Sequence, residues 1–305
     1  MAKNTKIVGI DVGNLTTVAI SETKTFVCDS RVKKVESNLD DFNKNEKFTF
    51  EGEKYLADSG SFENDILKYT KENYLSLLYY SIAKVTNPDE NNVEIVLCLP
   101  MSQFKTKKDS MMEYIKENNK KTIVLDGKKR TITISNVFIV PESYSLKTLK
   151  VVIDKLQKGC ETYVIDIGGG TIDVSKFNGE MNLIDGKSIQ LGLIHLYQTC
   201  REYINISYDI NITLEEAKLI FNGEKRLLND EFKNKKDIVK RFLIAVINEL
   251  KTIDNLKISN ICLTGGGANI LYPTFSKLYP QTILLDDITL QCQGMYKIGE
   301  KVFNK

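Results

Sequence analysis

Two stretches of this 305-residue sequence place a carboxylate, glycines and a threonine in the same order. The first is Ile7-Val8-Gly9-Ile10-Asp11-Val12-Gly13-Asn14-Leu15-Thr16-Thr17; the second runs from Tyr163 to Phe177, YVIDIGGGTIDVSKF. Aligned on their carboxylates, Asp11 matches Asp166, Gly13 matches Gly168 and Thr16 matches Thr171. Each apolar run reaches its aspartate, turns through glycine and leaves with strand-like alternation, which predicts a hairpin. Glycines in such a turn leave main-chain N–H groups uncovered, and a concave set of these donors suits phosphate oxygens. A carboxylate beside them suits the Mg2+ that accompanies phosphates, held directly or through water. Strand-end aspartates also cap turns with no ligand involved, so a single copy says little. Two copies in matching frames predict a nucleotide held between two related lobes. The candidate contacts are Gly13, Asn14 and Leu15 with Gly168, Gly169, Gly170 and Thr171, and Asp11 and Asp166 are the candidate metal-binding carboxylates.

Two further segments can converge on the same cleft. Pro141 fixes the exit of a strand and Glu142 follows it. A carboxylate there can polarise a water for in-line attack on a terminal phosphate, since phosphoryl transfer needs positioning more than covalent chemistry. It can equally be a first-turn glutamate favoured by a helix dipole, and the sequence leaves both readings open. Leu263-Thr264-Gly265-Gly266-Gly267 would let main chain approach a flat base or ribose, although glycine also serves helix–strand packing. Neither glycine run fits a dinucleotide fingerprint, because the Asp166 turn returns as a strand instead of opening a helix. Gly186-Lys187-Ser188 looks like the end of a P-loop, but Met181 stands where that motif needs glycine, so a turn is expected there.

The elements that must position these residues alternate along the chain. A third strand is expected within Thr25 to Val35, and Leu39 to Lys54 reads as a variable surface element with a small hairpin from Phe48 to Tyr55. Asn64 to Lys84 reads as one or two core helices, Asn92 to Leu99 as a buried strand ended by Pro100, and Lys105 to Asn118 as an amphipathic helix. A hairpin over Thr122 to Ile134 turns at Asp126-Gly127, and Asn136 to Val140 is a further strand. A helix from Ser143 to Gln157 would cross between lobes. Beyond the second hairpin, a strand is expected over Met181 to Ile184 and a helix to about Tyr203. Thr213-Leu214-Glu215-Glu216 reads as a capping box, and a long helix covers Asp230 to Leu256. The chain then reads as a strand to Thr264, a helix over Ala268 to Leu278, a short strand over Thr282 to Leu285 and a helical tail from Thr289. No low-complexity linker interrupts this order. The expected architecture is α/β, with residues 1–143 and about 288–305 in one lobe and 144–287 in the other.

Composition narrows the function classes. Lys and Arg number 42 against 40 Asp and Glu, so bulk charge argues against direct nucleic-acid binding. The six cysteines include no C-x-x-C pair and there is one histidine, which argues against a zinc site or iron–sulfur cluster. Scattered cysteines within apolar runs read as buried free thiols of a reducing cytoplasm. No apolar stretch reaches membrane-spanning length, and the N-terminus reads as no signal peptide.

The four segments together resemble the phosphate-1, connect-1, phosphate-2 and adenosine motifs of the actin/Hsp70/sugar-kinase superfamily. Within it the sequence is most similar to the bacterial plasmid-segregation ATPases of the ParM (StbA) family, through Val93 to Pro100, Val137 to Ser143 and Gly294-Met295-Tyr296. That resemblance implies the actin-like fold, with two ribonuclease H-like cores and a nucleotide cleft between them. It implies an ATPase, with GTP as an alternative substrate, in which Asp11 and Asp166 bind Mg2+–nucleotide and Glu142 activates the hydrolytic water. Gly265 to Gly267 would border the adenosine, and Glu215 or Lys218 would reach the ribose or base. It further implies a cytoplasmic head-to-tail filament and a DNA-binding adaptor at a plasmid centromere-like site. One position departs: the family carries a lysine where this chain has Val18, so a phosphate-contacting cation is missing or comes from elsewhere. A small-molecule kinase of the same superfamily is the alternative, although no general-base aspartate facing a substrate pocket can be placed. A bacterial division scaffold or chaperone-type relative is a third.

Overall fold

The computed structural model describes residues 5–36, 44–63, 65, 67–227, 232, 234–253 and 255–304. β1 (Lys6–Val12) and β2 (Thr16–Ile20) form the first hairpin, with Asp11 opposite Val18. β3 (Thr25–Asp29) extends it antiparallel, and β4 (Val32–Lys34), β5 (Lys47–Phe50) and β6 (Glu53–Ala57) build an outer edge. A short 3-10 turn (Lys68–Thr70) and α1 (Tyr74–Val85) lead to β7 (Asn92–Leu99), which lies parallel to β1. α2 (Met101–Glu117) starts directly after Pro100, earlier than the amphipathic pattern indicates. β8 (Lys120–Leu125) and β9 (Lys128–Pro141) complete a sheet of order β3-β2-β1-β7-β9-β8-β5-β6-β4. The two strands expected within residues 130–140 are one, with a register shift absorbed opposite Val93 and Glu94.

The crossover is not the long helix that the sequence predicts. Ser143 takes a left-handed φ of 66°, which breaks helical continuity, and only a 3-10 turn (Tyr144–Thr148) and α3 (Lys150–Ile153) follow. The second sheet then forms from β10 (Thr162–Ile167), β11 (Ile172–Phe177) and β12 (Leu183–Ile189). α4 (Leu193–Tyr208), α5 (Leu214–Asn222) and α6 (Lys235–Leu250) cover it. β13 (Asn260–Thr264), α7 (Ala268–Leu278), β14 (Thr282–Leu284) and α8 (Leu290–Phe303) end the chain. The order is β12-β11-β10-β13-β14, and its pairing senses repeat those of β3-β2-β1-β7-β9. The two lobes are therefore related, as the matched hairpins indicate. Parts of the expected elements at 39–54, 64–84 and 230–256 lie outside the described residues.

Each sheet carries its own apolar core, and smaller clusters join them. α8 returns to β1, where Cys292, Met295 and Ile298 pack with Val18, Val96 and Cys98. Gly9 permits this approach, since a Cβ there would lie 2.8 Å from the Tyr296 main-chain nitrogen. All six cysteines are free and five are buried. No helix among the described residues is long and apolar enough to cross a membrane.

Gly186-Lys187-Ser188 lies inside β12 and is not the turn that the sequence predicts. The turn comes earlier, at Asn178 to Asn182, where Met181 takes a φ of 59°, so the strand begins at Leu183. A Cβ at Gly186 would meet the Val174 carbonyl at 2.9 Å and the Met101 side chain at 2.7 Å, so glycine here serves contact between the lobes. At that contact the first turn of α2 is capped by the second sheet. Met101 N–H donates to Asp173 at 3.1 Å and Ser102 N–H to Ser188 Oγ at 3.1 Å. Asp173 also accepts from the hydroxyls of Ser188 and, at 2.6 Å, Thr171. A carboxylate at a helix N-terminus is favoured by the dipole and by otherwise unpaired N–H groups. Asp173→Ala should lower stability by about 2–3 kcal/mol because several buried donors lose their acceptor. A urea titration followed by circular dichroism reads this as a lower midpoint; an unshifted midpoint contradicts the role.

Candidate active site

The two hairpin turns close with equivalent hydrogen bonds. Gly13 N–H donates to the Thr16 carbonyl at 3.1 Å, and Gly168 N–H donates to that of Thr171 at 2.9 Å. These two N–H groups are therefore spent within the turns, contrary to their expected role as phosphate donors. The carbonyls are tied down as well. Those of Gly168, Gly169 and Gly170 accept from Leu193, Ile194 and Gly192 at the start of α4, at 3.0, 2.9 and 3.2 Å. Those of Gly13 and Leu15 accept from the Lys71 ammonium at 3.1 Å and from Ser30 N–H at 2.9 Å. Among the described residues, the N–H groups of Asn14, Leu15, Gly169 and Gly170 have no acceptor. Four donors thus remain, two from each lobe. The turns touch: a Cβ at Gly169 would come within 2.9 Å of the Leu15 nitrogen and 3.2 Å of the Asn14 Cβ.

Between them lies a cavity of about 220 Å³. Asp11, Gly13 and Asn14 line one side, and Asp166 with Gly168 to Thr171 lines the other. Glu142 lies at the junction, where three contacts fix its main chain. Its N–H donates to the Leu99 carbonyl at 2.8 Å, its carbonyl accepts from Ser175 Oγ at 3.2 Å, and the next N–H donates to Gln291 at 3.0 Å. The Glu142 carboxylate is partly buried and lines the same space as Asp11. The structure therefore brings the three predicted carboxylates together.

Lys68 was not expected in the site, and it dominates the electrostatics. Its ammonium pairs with Asp11 and, at 2.9 Å, with Glu142, and lies 3.5 Å from Cys98 Sγ. Burial works against this charge, but the neighbouring Asp11, Cys98 and Glu142 outweigh it and hold the lysine protonated. Burial pushes the Glu142 carboxyl well above the ordinary range; Lys68 opposes this, while Asp173, Asp11 and Asp166 reinforce it. Lys71 is pulled down to about 8 by burial and by Lys68. Lys68 opens a 3-10 turn, and Lys71 is the residue that follows it. His195 and Gln198 on α4 also line the cavity and were missed, because a helix face cannot be oriented from its own sequence.

Asp166 differs from the other carboxylates. Among the described residues no donor or cation partners it. Burial, then Asp173 and Asp11, raise its pKa from 3.8 to about 7. Such an acid on the far side of the cavity from Asp11, beside N–H groups with no acceptor, fits a divalent cation bound with phosphates.

The remaining expected contacts lie elsewhere. Gly265, with a φ of 85°, packs on Asp166, and Gly267 packs on Ile167 and Leu193; none of Gly265 to Gly267 lines the cavity. The capping box at Thr213 forms as predicted. However, Glu215 accepts from Phe62 N–H at 3.2 Å and Lys218 pairs with Asp29 at 2.8 Å, 5.1 Å from the Phe62 ring. Both bind the first lobe to α5 and neither lines the cavity.

Comparison with known proteins gives a consistent assignment. A family model described as "Actin like proteins N terminal domain" matches residues 9–144, and one described as "Archaeal actin homologue MreB-like, C-terminal" matches residues 164–277. No curated protein sequence matches significantly. Among solved structures, a pCBH ParM non-polymerisable quadruple mutant is 19% identical with a TM-score of 0.83, over 97% of this chain and 99% of that one. A 15-stranded ParM filament from Clostridium botulinum is 20% identical with a TM-score of 0.82, over 98% and 99%. An archaeal actin homolog in complex with ADP is 16% identical with a TM-score of 0.81, over 97% and 100%. At these identities the likeness establishes the fold.

The raised Asp166 pKa has a definite sign. From about pH 4 to about pH 7 the folded chain holds a proton that the unfolded chain has released, so this group's contribution falls as pH rises through that window. Asp166→Asn should therefore melt higher than the parent at about pH 8, with the difference vanishing near pH 4. Thermal melting at the two pH values checks this; an equal difference at both contradicts it.

Proposed function

This chain belongs to the actin-like proteins, and we propose that its cleft binds and hydrolyses a nucleoside triphosphate to drive its own head-to-tail assembly. The observation that carries this reading is the pair of turns whose N–H groups at Asn14, Leu15, Gly169 and Gly170 have no acceptor among the described residues, with Asn14, Gly169 and Gly170 lining one cavity beside Asp11, Glu142 and Asp166. Asn14, Leu15, Gly169 and Gly170 would hold the β- and γ-phosphates. Asp11 and Asp166 would hold Mg2+, directly or through water, and that ion would offset the phosphate charge. Glu142, fixed at the junction, would orient and deprotonate the attacking water. ATP is the proposed substrate, with GTP as the alternative.

Closing the lobes on phosphates would bring both turns and Glu142 into one geometry. A filament follows if the closed form favours a heterologous contact that does not close into a ring. The solved ParM and Alp12 filaments support self-association for chains of this fold. We further propose a role in plasmid segregation through a DNA-binding adaptor, since the near-balanced charge gives no reason for direct DNA binding.

Negative-stain electron microscopy and sedimentation with ATP or GTP test assembly. Filaments with at least one nucleotide are expected, and a monomer at high concentration with both rejects the reading. Glu142→Ala should retain nucleotide binding, slow phosphate release by on the order of 100-fold and prolong filament lifetime. Unchanged phosphate release removes Glu142 from the chemistry.

A further inference from the structure

The carboxylates of Asp11 and Glu142 and the thiol of Cys98 form a group whose potential ligand atoms all lie within 4.8 Å of one another. That group already holds a cation, the Lys68 ammonium. Its three N–H bonds match three acceptors: Asp11, Glu142 at 2.9 Å and Cys98 Sγ at 3.5 Å. A thiol is a weak acceptor. One of the three bonds is thus weak, and a phosphate oxygen is a better partner for the same donor.

We propose that Lys68 is the phosphate-binding cation of the cleft: its ammonium rests on Asp11, Glu142 and Cys98, and turns to the polyphosphate when nucleotide binds. The proposal rests on the nucleotide reading above. Three observations favour a mobile role over a structural ion pair. First, the lysine lines the cavity, with its side chain 8% exposed towards it. Second, no other ammonium lines the cavity among the described residues. Val18, opposite Asp11, is packed with Cys98 and Cys292, and Lys71 is engaged by the Gly13 carbonyl. Third, a polyphosphate brings negative charge into a space that already contains Asp11, Glu142 and Asp166. Main-chain N–H groups are dipoles and do not neutralise it, so an ammonium aimed at the phosphates would add to the offset that Mg2+ supplies. The same placement gives the lysine a second effect: while it rests on Asp11 and Glu142, it excludes a free divalent cation from them.

The test uses Lys68→Met in the full chain. Equilibrium binding of adenosine, ADP and ATP with Mg2+ should show a loss that grows with phosphate number, about 10- to 100-fold for ATP and none for adenosine. Mn2+ alone, followed by electron paramagnetic resonance, should bind the variant more tightly than the parent, because Asp11 and Glu142 have lost their ammonium. Unchanged ATP affinity overturns the proposal, as does an equal loss for adenosine and ATP, which is the signature of a structural staple. A parent that binds no nucleotide would instead sink the nucleotide reading, and the Mn2+ measurement would still test the lysine as the resident cation. If Lys68→Met does not fold, adding Val18→Lys supplies an ammonium from β2 on the side facing Asp11. That double variant should fold and bind ATP within a few-fold of the parent; a folded double variant with ATP affinity lost contradicts the proposal.

Discussion

Four carboxylates converge where the two sheets meet, and the fold is arranged around that concentration of negative charge. Asp11 and Glu142 present oxygens within 4.8 Å of each other. Ionised together, they would repel by roughly 3 kcal/mol at an effective dielectric near 20. Lys68 pairs with both, and its attraction opposes that repulsion. Asp173 is handled differently, by the first turn of α2 and two hydroxyls. Of these four, Asp166 has no partner among the described residues, and burial with the neighbouring Asp173 and Asp11 raises its pKa. A site that leaves one acid unsatisfied while satisfying its neighbours is arranged for a cation from outside.

The repeated hairpin explains how the two lobes come to face each other, but the repeats have diverged in use. Register places Asp173 opposite Asp166 as it places Val18 opposite Asp11. The first position is a carboxylate that ties the second sheet to α2, and the second is an apolar contact for α8. The turns themselves are held by unlike means. α4 fixes the carbonyls of the second turn, whereas Ser30 and Lys71 fix those of the first. In both cases the carbonyls are immobilised while the N–H groups of Asn14, Leu15, Gly169 and Gly170 keep no acceptor among the described residues.

Much of this was legible because it is local. An aspartate, a glycine turn and a returning strand occupy a dozen residues, and Pro141-Glu142 marks its own strand end. The capping box at Thr213 was readable for the same reason, yet it says where α5 starts and nothing about which way the helix faces. Glu215 and Lys218 consequently fell on the Phe62 and Asp29 side. Glycines misled in a related way. Gly186 read as part of a turn and Gly265 to Gly267 as a ligand contact; Gly186, Gly265 and Gly267 instead admit close approach of other segments, which no local pattern encodes. Lys68 lies 57 residues from Asp11 and 74 from Glu142, so only the tertiary fold reveals it. Its discovery answers the question posed by Val18: a cation reaches the site from the segment before α1 instead of from β2.

The account's central claim is that one ligand engages both turns at once through N–H groups that the fold leaves unused. Hydrogen–deuterium exchange at Asn14, Leu15, Gly169 and Gly170, measured with and without Mg2+ and ATP or GTP, tests this most directly. The account predicts that amide protection rises in the two turns together, at the same nucleotide concentration. Protection confined to one turn, or absent from both at saturating nucleotide, would contradict it.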